Sequence, residues 1–217
     1  MTQVRPFRGF KYNPERIQDL SSVVAPPYDV VTNHERDTLI GRSPHNFIRI
    51  TLPAHYDPGS KSREFYGEAT QLWSDWRQSR IVCQDSEPGI HLVKERYDSS
   101  NGNTVTRHGF LTALSLEEES HRYVLKHERT HTAPRMDRVR LYQHTRANLS
   151  PLFFIYRDDP NETAEFLLHF NGKETRKGVL SHRGNVSLEL ESTFDREFMN
   201  DFCASFDQKH VLIADGH

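Results

Sequence analysis

Three stretches of this chain carry residues that could do chemistry. The first is Ala25-Pro26-Pro27-Tyr28-Asp29-Val30. Two prolines fix the backbone, so Tyr28 and Asp29 leave the preceding segment at a defined angle. Asp29 could act as a base or hold a metal, and Tyr28 could stack on a ring; a structural turn with an Asx hydrogen bond explains the same residues equally well. The second stretch, His127-Glu128-Arg129-Thr130-His131, matches H-E-x-x-H letter for letter. A zinc protease needs both histidines one turn apart on a helix face, with the glutamate beside the metal-bound water. Pro134 would stop such a helix almost at once, and the polar flanks give it no side to pack, so no zinc is expected. His127 and Glu128 remain candidates on a loop, followed by a polar cluster of Arg135, Asp137, Arg138 and Arg140; a solvated charged face is the other reading. The third stretch, Asp215-Gly216-His217, follows the apolar run Val211-Leu212-Ile213-Ala214. A strand that delivers a glycine, with a helix to follow, is the outline of a phosphate site, because helix N-terminal amides hold anions.

The elements that must position these residues follow from hydrophobic spacing. Thr32-Asn33-His34-Glu35 reads as a capping box that starts a helix over about 33–41. The segment 21–25 reads as a short strand, and "HNFIRITLP" as a strand that Pro53 ends. Phe65, Ala69, Leu72, Trp73 and Trp76 form one apolar stripe on a helix over 61–79. Two hairpins are expected, one about Ser99–Asn103 with its Asn-Gly turn and one about Arg183-Gly184-Asn185. A helix is expected after Pro134, a buried strand in "PLFFIYR", a short helix over 161–170, and a last helix carrying Phe194, Phe198, Met199 and Phe202 before the final strand. Helices and hairpins alternate irregularly, which predicts an α+β fold with a mixed sheet, hairpins and flanking helices in one domain spanning 1–217.

Composition narrows the function. The 217 residues carry a formal net charge of −2 with both signs spread along the chain, which argues against a nucleic-acid binder. Two cysteines, Cys83 and Cys203, make no disulfide framework and read as buried free thiols in a reducing compartment. The opening "MTQVRPFRGF" lacks the apolar core of a signal peptide, and no segment approaches the ~20 apolar residues of a membrane span. A cytoplasmic location is expected. There is no Walker A loop, Rossmann fingerprint or nucleophile elbow.

Taken together, "RPFRGFKYNPE", "DLSSVVAPPYDVV", "HNFIRITLP", "HERT…PRMDRVRL" and "ADGH" resemble the family catalogued as domain of unknown function 1015, over nearly the whole chain and in the expected order. In that family the last motif continues as A-D-G-H-H-R-Y-E into a helix. The resemblance therefore implies that this chain is the N-terminal half of a longer protein, ends inside the motif and does not transfer phosphate by itself. His127, Glu128, Thr130, Pro134, Asp137 and Arg138 match the family pattern, whereas His131 does not. The D-G-H-H-R motif is also similar to one in free serine kinases of the ParB/sulfiredoxin-like fold. It implies that Asp215, Gly216 and His217 begin a phosphate loop, with Arg138 a further phosphate ligand and ADP or ATP with Mg²⁺ the ligand.

Glu128 or Asp29 would then be the base, chosen by chemistry and not by motif match, with Tyr28 and His127 near the substrate. The function expected is nucleotide-dependent phosphotransfer to a small hydroxyl substrate such as free serine. The alternative is a non-catalytic regulator that binds a nucleotide or effector, and a third possibility is an enzyme of another class, a metal-assisted hydrolase included. Nucleic acid and membrane are not expected partners, and the sequence leaves the oligomeric state open.

Overall fold

A computed structural model describes residues 2–52, 63–116, 122–126, 132–159, 162–181 and 185–216. Within these the architecture is α+β. Short strands β1 (Val4–Arg5), β2 (Phe10–Tyr12) and β3 (Val82–Gln84) flank the first helices. The long hairpin β4 (Ile90–Asp98) and β5 (Thr104–Leu111) turns through Asn101-Gly102, where Gly102 takes the left-handed φ of 82° that such a turn requires. After β6 (Ala113–Leu114) and β7 (Val124–Lys126) comes β8 (Phe153–Tyr156). The second hairpin, β9 (Lys173–Ser181) and β10 (Asn185–Thr193), precedes the last strand, β11 (Val211–Asp215).

The two hairpins join into one antiparallel sheet of order β5-β4-β10-β9. A three-stranded sheet, β7-β11-β8, is mixed: β7 runs parallel to β11 and β8 antiparallel to it. Pairs β1-β6 and β2-β3 complete the strands among the described residues.

The helices follow from caps and stripes. In α1 (Asn33–Arg42), Thr32 accepts from the Glu35 amide while Glu35 reaches back to the Thr32 amide, so two orphan donors are satisfied at once. In α3 (Arg63–Gln78), Phe65, Ala69, Trp73 and Trp76 are buried against Ile50, Ile81, Val82 and Leu141. The last of these lies on α4 (Thr132–Thr145). A short α5 (Glu162–His169) packs Phe166 edge-on against Phe202 of α6 (Arg196–Ser205). Asp195 caps α6 by accepting from the Glu197 and Phe198 amides, and Phe202 fills the second core with Ile90, Met199, Phe206 and Val211. Phe194 lies before that cap, outside the helix.

Four expectations need correction. "HNFIRITLP" does not make a strand: Ile48–Thr51 is a helical turn, α2. The Asn46 carboxamide oxygen accepts the Ile48 amide at 3.1 Å and starts that turn. Ile48 and Ile50 then point to opposite sides, one into each of two cores. The alternation that reads as a strand is a helix buried on both faces. Segment 21–25 is likewise no strand, since Leu20–Ser22 forms a 3-10 turn capped by Asp19. Pro134 lies in the first turn of α4 and does not precede the helix; a missing N–H there removes no intrahelical bond. Finally, β8 is only half covered, with Phe153 and Ile155 facing out on the mixed sheet. Both cysteines are free and partly buried, and burial pushes the Cys203 thiol up. Among the described residues no helix is long and apolar enough to cross a membrane.

Candidate functional site

The loop after the two prolines is held from below by Asn46, which is fully buried. Its amide nitrogen donates to the Ser22 and Val24 carbonyls, and the Phe47 amide donates to the Val23 carbonyl. Tyr28–Val30 then forms a 3-10 turn in which Tyr28 packs on the small core of Leu39, Ile48 and Leu52, and Asp29 stays exposed. The turn is tied to α4 through Arg138, whose guanidinium carbon lies 3.8 Å from the centre of the Tyr28 ring. One face of Tyr28 is thus already covered by a cation, an arrangement that the ring quadrupole favours.

Arg138 is fixed in its plane. Its Nη1 donates to the Thr51 carbonyl at 3.0 Å, its Nε donates to Asp137 Oδ2 at 2.9 Å, and its Nη2 donates to the same oxygen. The other Asp137 oxygen accepts the Tyr66 hydroxyl from α3 at 2.7 Å. Four segments of the chain therefore meet at one guanidinium: the Pro-Pro turn, the end of α2, α3 and α4.

The electrostatics bring in a fifth. Burial, first, raises the Tyr28 pKa; Arg138 opposes it, and the charges of Asp29, Asp137 and Asp215 add to the rise. The end of β11 thus acts on the same tyrosine as Asp29 and Arg138. Val211 and Ile213 are buried and anchor that strand, and its pairing with β8 slips between Ile213 and Asp215, where the chain turns outward. Gly216 has a φ of 78°, and a Cβ there would lie 3.3 Å from the Pro151 carbonyl oxygen, so both backbone angle and clearance call for glycine. Its amide donates to Asp215 Oδ1 at 2.7 Å. Asp215 and Asp29 both present exposed carboxylates.

Of the residues singled out in the sequence, Tyr28 and Arg138 are in direct contact, and Asp29 and Asp215 act on Tyr28 through their charge. His127, Glu128 and His217, together with His131, lie outside the described residues. Among the described residues no group of three His, Cys, Asp or Glu side chains is arranged to hold a metal. Sequence reasoning missed Tyr66 and the Thr51 carbonyl. Tyr66 sits beside the Phe65 stripe, and a tyrosine that buries its ring usually finds a partner for its hydroxyl, which was the available signal. The arrangement supplies a clamped arginine able to receive an oxyanion, with exposed carboxylates beside it able to take a hydroxyl proton.

A second polar cluster is closed. Asp85 pairs with Lys11 at 2.7 Å and with His91 Nε2 at 3.5 Å, and accepts the Gly9 amide at 3.1 Å. Ser192 Oγ lies 2.9 Å from His91 Nδ1 and 3.2 Å from Lys11 Nζ. These are the residue types of a hydrolytic triad, but Ser192 is fully buried and His91 is only 2 % exposed. No substrate reaches that hydroxyl in this fold.

The chain matches the family described as "Protein of unknown function (DUF1015)" over residues 4–217 and belongs to that family. Comparison with curated proteins and with solved structures gave no match.

Proposed function

We propose that this protein binds a nucleotide at the corner between Tyr28, Arg138 and Asp215 and passes a phosphoryl group to a small hydroxyl substrate such as free serine. The observation that carries the reading is the clamped Arg138 guanidinium on Tyr28, the tyrosine that the exposed Asp29 and Asp215 also influence through their charge. Phosphoryl transfer asks little covalent chemistry of a protein; it needs charge held in place and a group for the hydroxyl proton. Arg138 supplies the fixed positive charge. Asp29 takes the proton as the substrate oxygen forms its bond to phosphorus and the bond to the ADP oxygen breaks; Glu128 is the other candidate for that role. Asp215 offers hard oxygen of the kind that Mg²⁺, arriving with the nucleotide, accepts. The likeness of Asp215-Gly216-His217 to the motif of free serine kinases adds support.

The test is to incubate a family chain that carries the whole A-D-G-H-H-R-Y-E motif with ATP, Mg²⁺ and free serine. Phosphoserine and ADP formed together, and lost in Arg138→Gln, support the proposal. ADP binding without turnover in any candidate amino acid would instead mark a nucleotide-binding regulator. No ADP binding at all would end both readings.

A further inference from the structure

We infer that Tyr66 is a positioning residue: through Asp137 it sets the plane in which Arg138 meets an anion, and so makes α3 part of the anion site. This rests on the reading of Arg138 as an anion ligand given above. A guanidinium has five N–H donors in one plane. In Arg138 the Nε–H and one Nη2–H go to Asp137 Oδ2, and one Nη1–H goes to the Thr51 carbonyl. Among the described residues that leaves one N–H on each terminal nitrogen, two donors in the guanidinium plane able to meet a phosphate or carboxylate. The pair points correctly only while the plane is held. Tyr28 blocks tipping on one face, at 3.8 Å. Rotation within the plane is resisted by Asp137, whose carboxylate could itself turn about its own bond.

Tyr66 removes that freedom by donating to Asp137 Oδ1 at 2.7 Å. Its ring is in turn fixed, edge-on to Phe65 with centroids 4.7 Å apart and stacked on His144 at 5.1 Å. A phenylalanine would fill this packing equally well, so what the hydroxyl adds is its bond to Asp137, beside a contact with Arg140 on the same helix. Partial burial, the Asp137 hydrogen bond and the Asp137 charge outweigh the opposing Arg140 hydrogen bond and charge and push the Tyr66 pKa up to about 12, so its proton stays in place to be donated at neutral pH.

The test uses the full-length chain labelled with ¹⁵N at arginine side chains, and ADP as the probe. In Tyr66→Phe, exchange of the Arg138 Nε–H with solvent is expected to speed up. ADP affinity is expected to fall roughly threefold to tenfold, the range for one net hydrogen bond. Asp137→Asn keeps the side-chain shape and is expected to give the same two changes, which guards against a folding defect in the first variant. If both variants keep native Arg138 exchange and native ADP affinity while Arg138→Gln loses ADP, Tyr66 is only a brace between helices and the inference is overturned. If Arg138→Gln binds ADP as the native chain does, the anion-site reading fails first, and the Arg138 exchange data alone then judge the Tyr66 link.

Discussion

Two regions of this molecule place a carboxylate against a cation, and they differ in what surrounds the pair. At Asp85 the partners are Lys11 and His91, with Asp85 and Lys11 side chains 3 % and 12 % exposed, and Ser192 buried beside them. At Asp137 the partner is Arg138, whose side chain is 22 % exposed, with Asp29 and Asp215 open to solvent nearby. The first cluster ties the Phe10–Tyr12 and Val82–Gln84 pair to the four-stranded sheet. Its groups face one another and leave no room for a ligand. The second ties four segments together as well, and its pair is somewhat less covered, at 22 % and 14 % exposed. On the reading proposed above, the same chemistry is a structural pin when enclosed and serves binding when one side is left open.

Breaking the enclosed cluster is expected to have the largest effect. Asp85→Ala leaves Lys11 and His91 buried without their carboxylate, and removing one partner of a buried pair costs about 3–5 kcal/mol. Urea unfolding followed by circular dichroism measures this. A loss well under 1 kcal/mol would show that the cluster is no pin. The open cluster is expected to behave the other way. Arg138→Gln is expected to cost less than the enclosed pair, about 1–3 kcal/mol for charged hydrogen bonds in a partly covered pair. Its ADP affinity, measured by calorimetry, is expected to fall about 10- to 100-fold, as when hydrogen bonds of roughly 1.5–3 kcal/mol to a charged group are lost. If both substitutions moved stability alike and neither moved binding, the contrast between the regions would be void.

A finer comparison lies within the open cluster. On the proposed reading, Asp215 would repel a bare diphosphate and offer oxygen to the magnesium ion of the complexed one. Asp215→Asn is therefore expected to weaken ADP binding when Mg²⁺ is present and to strengthen it when Mg²⁺ is chelated. Each change is about threefold to fivefold, since an exposed charge contributes no more than about 1 kcal/mol. The same sign in both conditions would remove Asp215 from the metal side of the site.

These differences set the limits of what the sequence could reveal. The α1 cap, the α3 stripe and both hairpins are local devices, written in residues a few positions apart, and they were legible. Tyr28, Asp29, Arg138 and Asp215 stand out in the sequence because each sits in a short motif, and the structure adds the contact of Arg138 with Tyr28. The enclosed cluster was not legible. Lys11, Asp85, His91 and Ser192 lie on four strands or strand ends, and only the β4-β10 register, which sets His91 opposite Ser192, brings two of them together. The Ile48–Thr51 turn was misread for a related reason: its alternating burial is produced by two cores on either side, and no local signal distinguishes that from a strand. Tyr66 was hidden because it reads as a neighbour of the α3 stripe, and its hydroxyl meets a carboxylate 71 positions away.

The smallest expected effect tests that last contact by pH. Burial and Asp137, against the opposing hydrogen bond and charge of Arg140, raise the folded-state pKa of Tyr66 to about 12 from an ordinary value of 10.0. Below pH 10 the hydroxyl keeps its proton in both folded and unfolded chains, and the contribution to stability is fully present. Between pH 10 and about 12 the unfolded chain loses the proton while the folded chain holds it, so each step upward in pH favours unfolding and the contribution is lost. Tyr66→Phe removes this proton from both states. The variant is therefore expected to show a shallower fall in stability over that window than the native chain, while the two curves run parallel below pH 10. Tyr12 and Tyr28, whose pKa values burial also raises, remain in both proteins and cancel in the difference. Urea midpoints at a series of pH values give the two curves, and difference absorbance of tyrosinate gives the titration directly. Identical slopes above pH 10 would mean that the Tyr66 hydroxyl faces water and not Asp137, and the link from α3 to Arg138 would be lost with it.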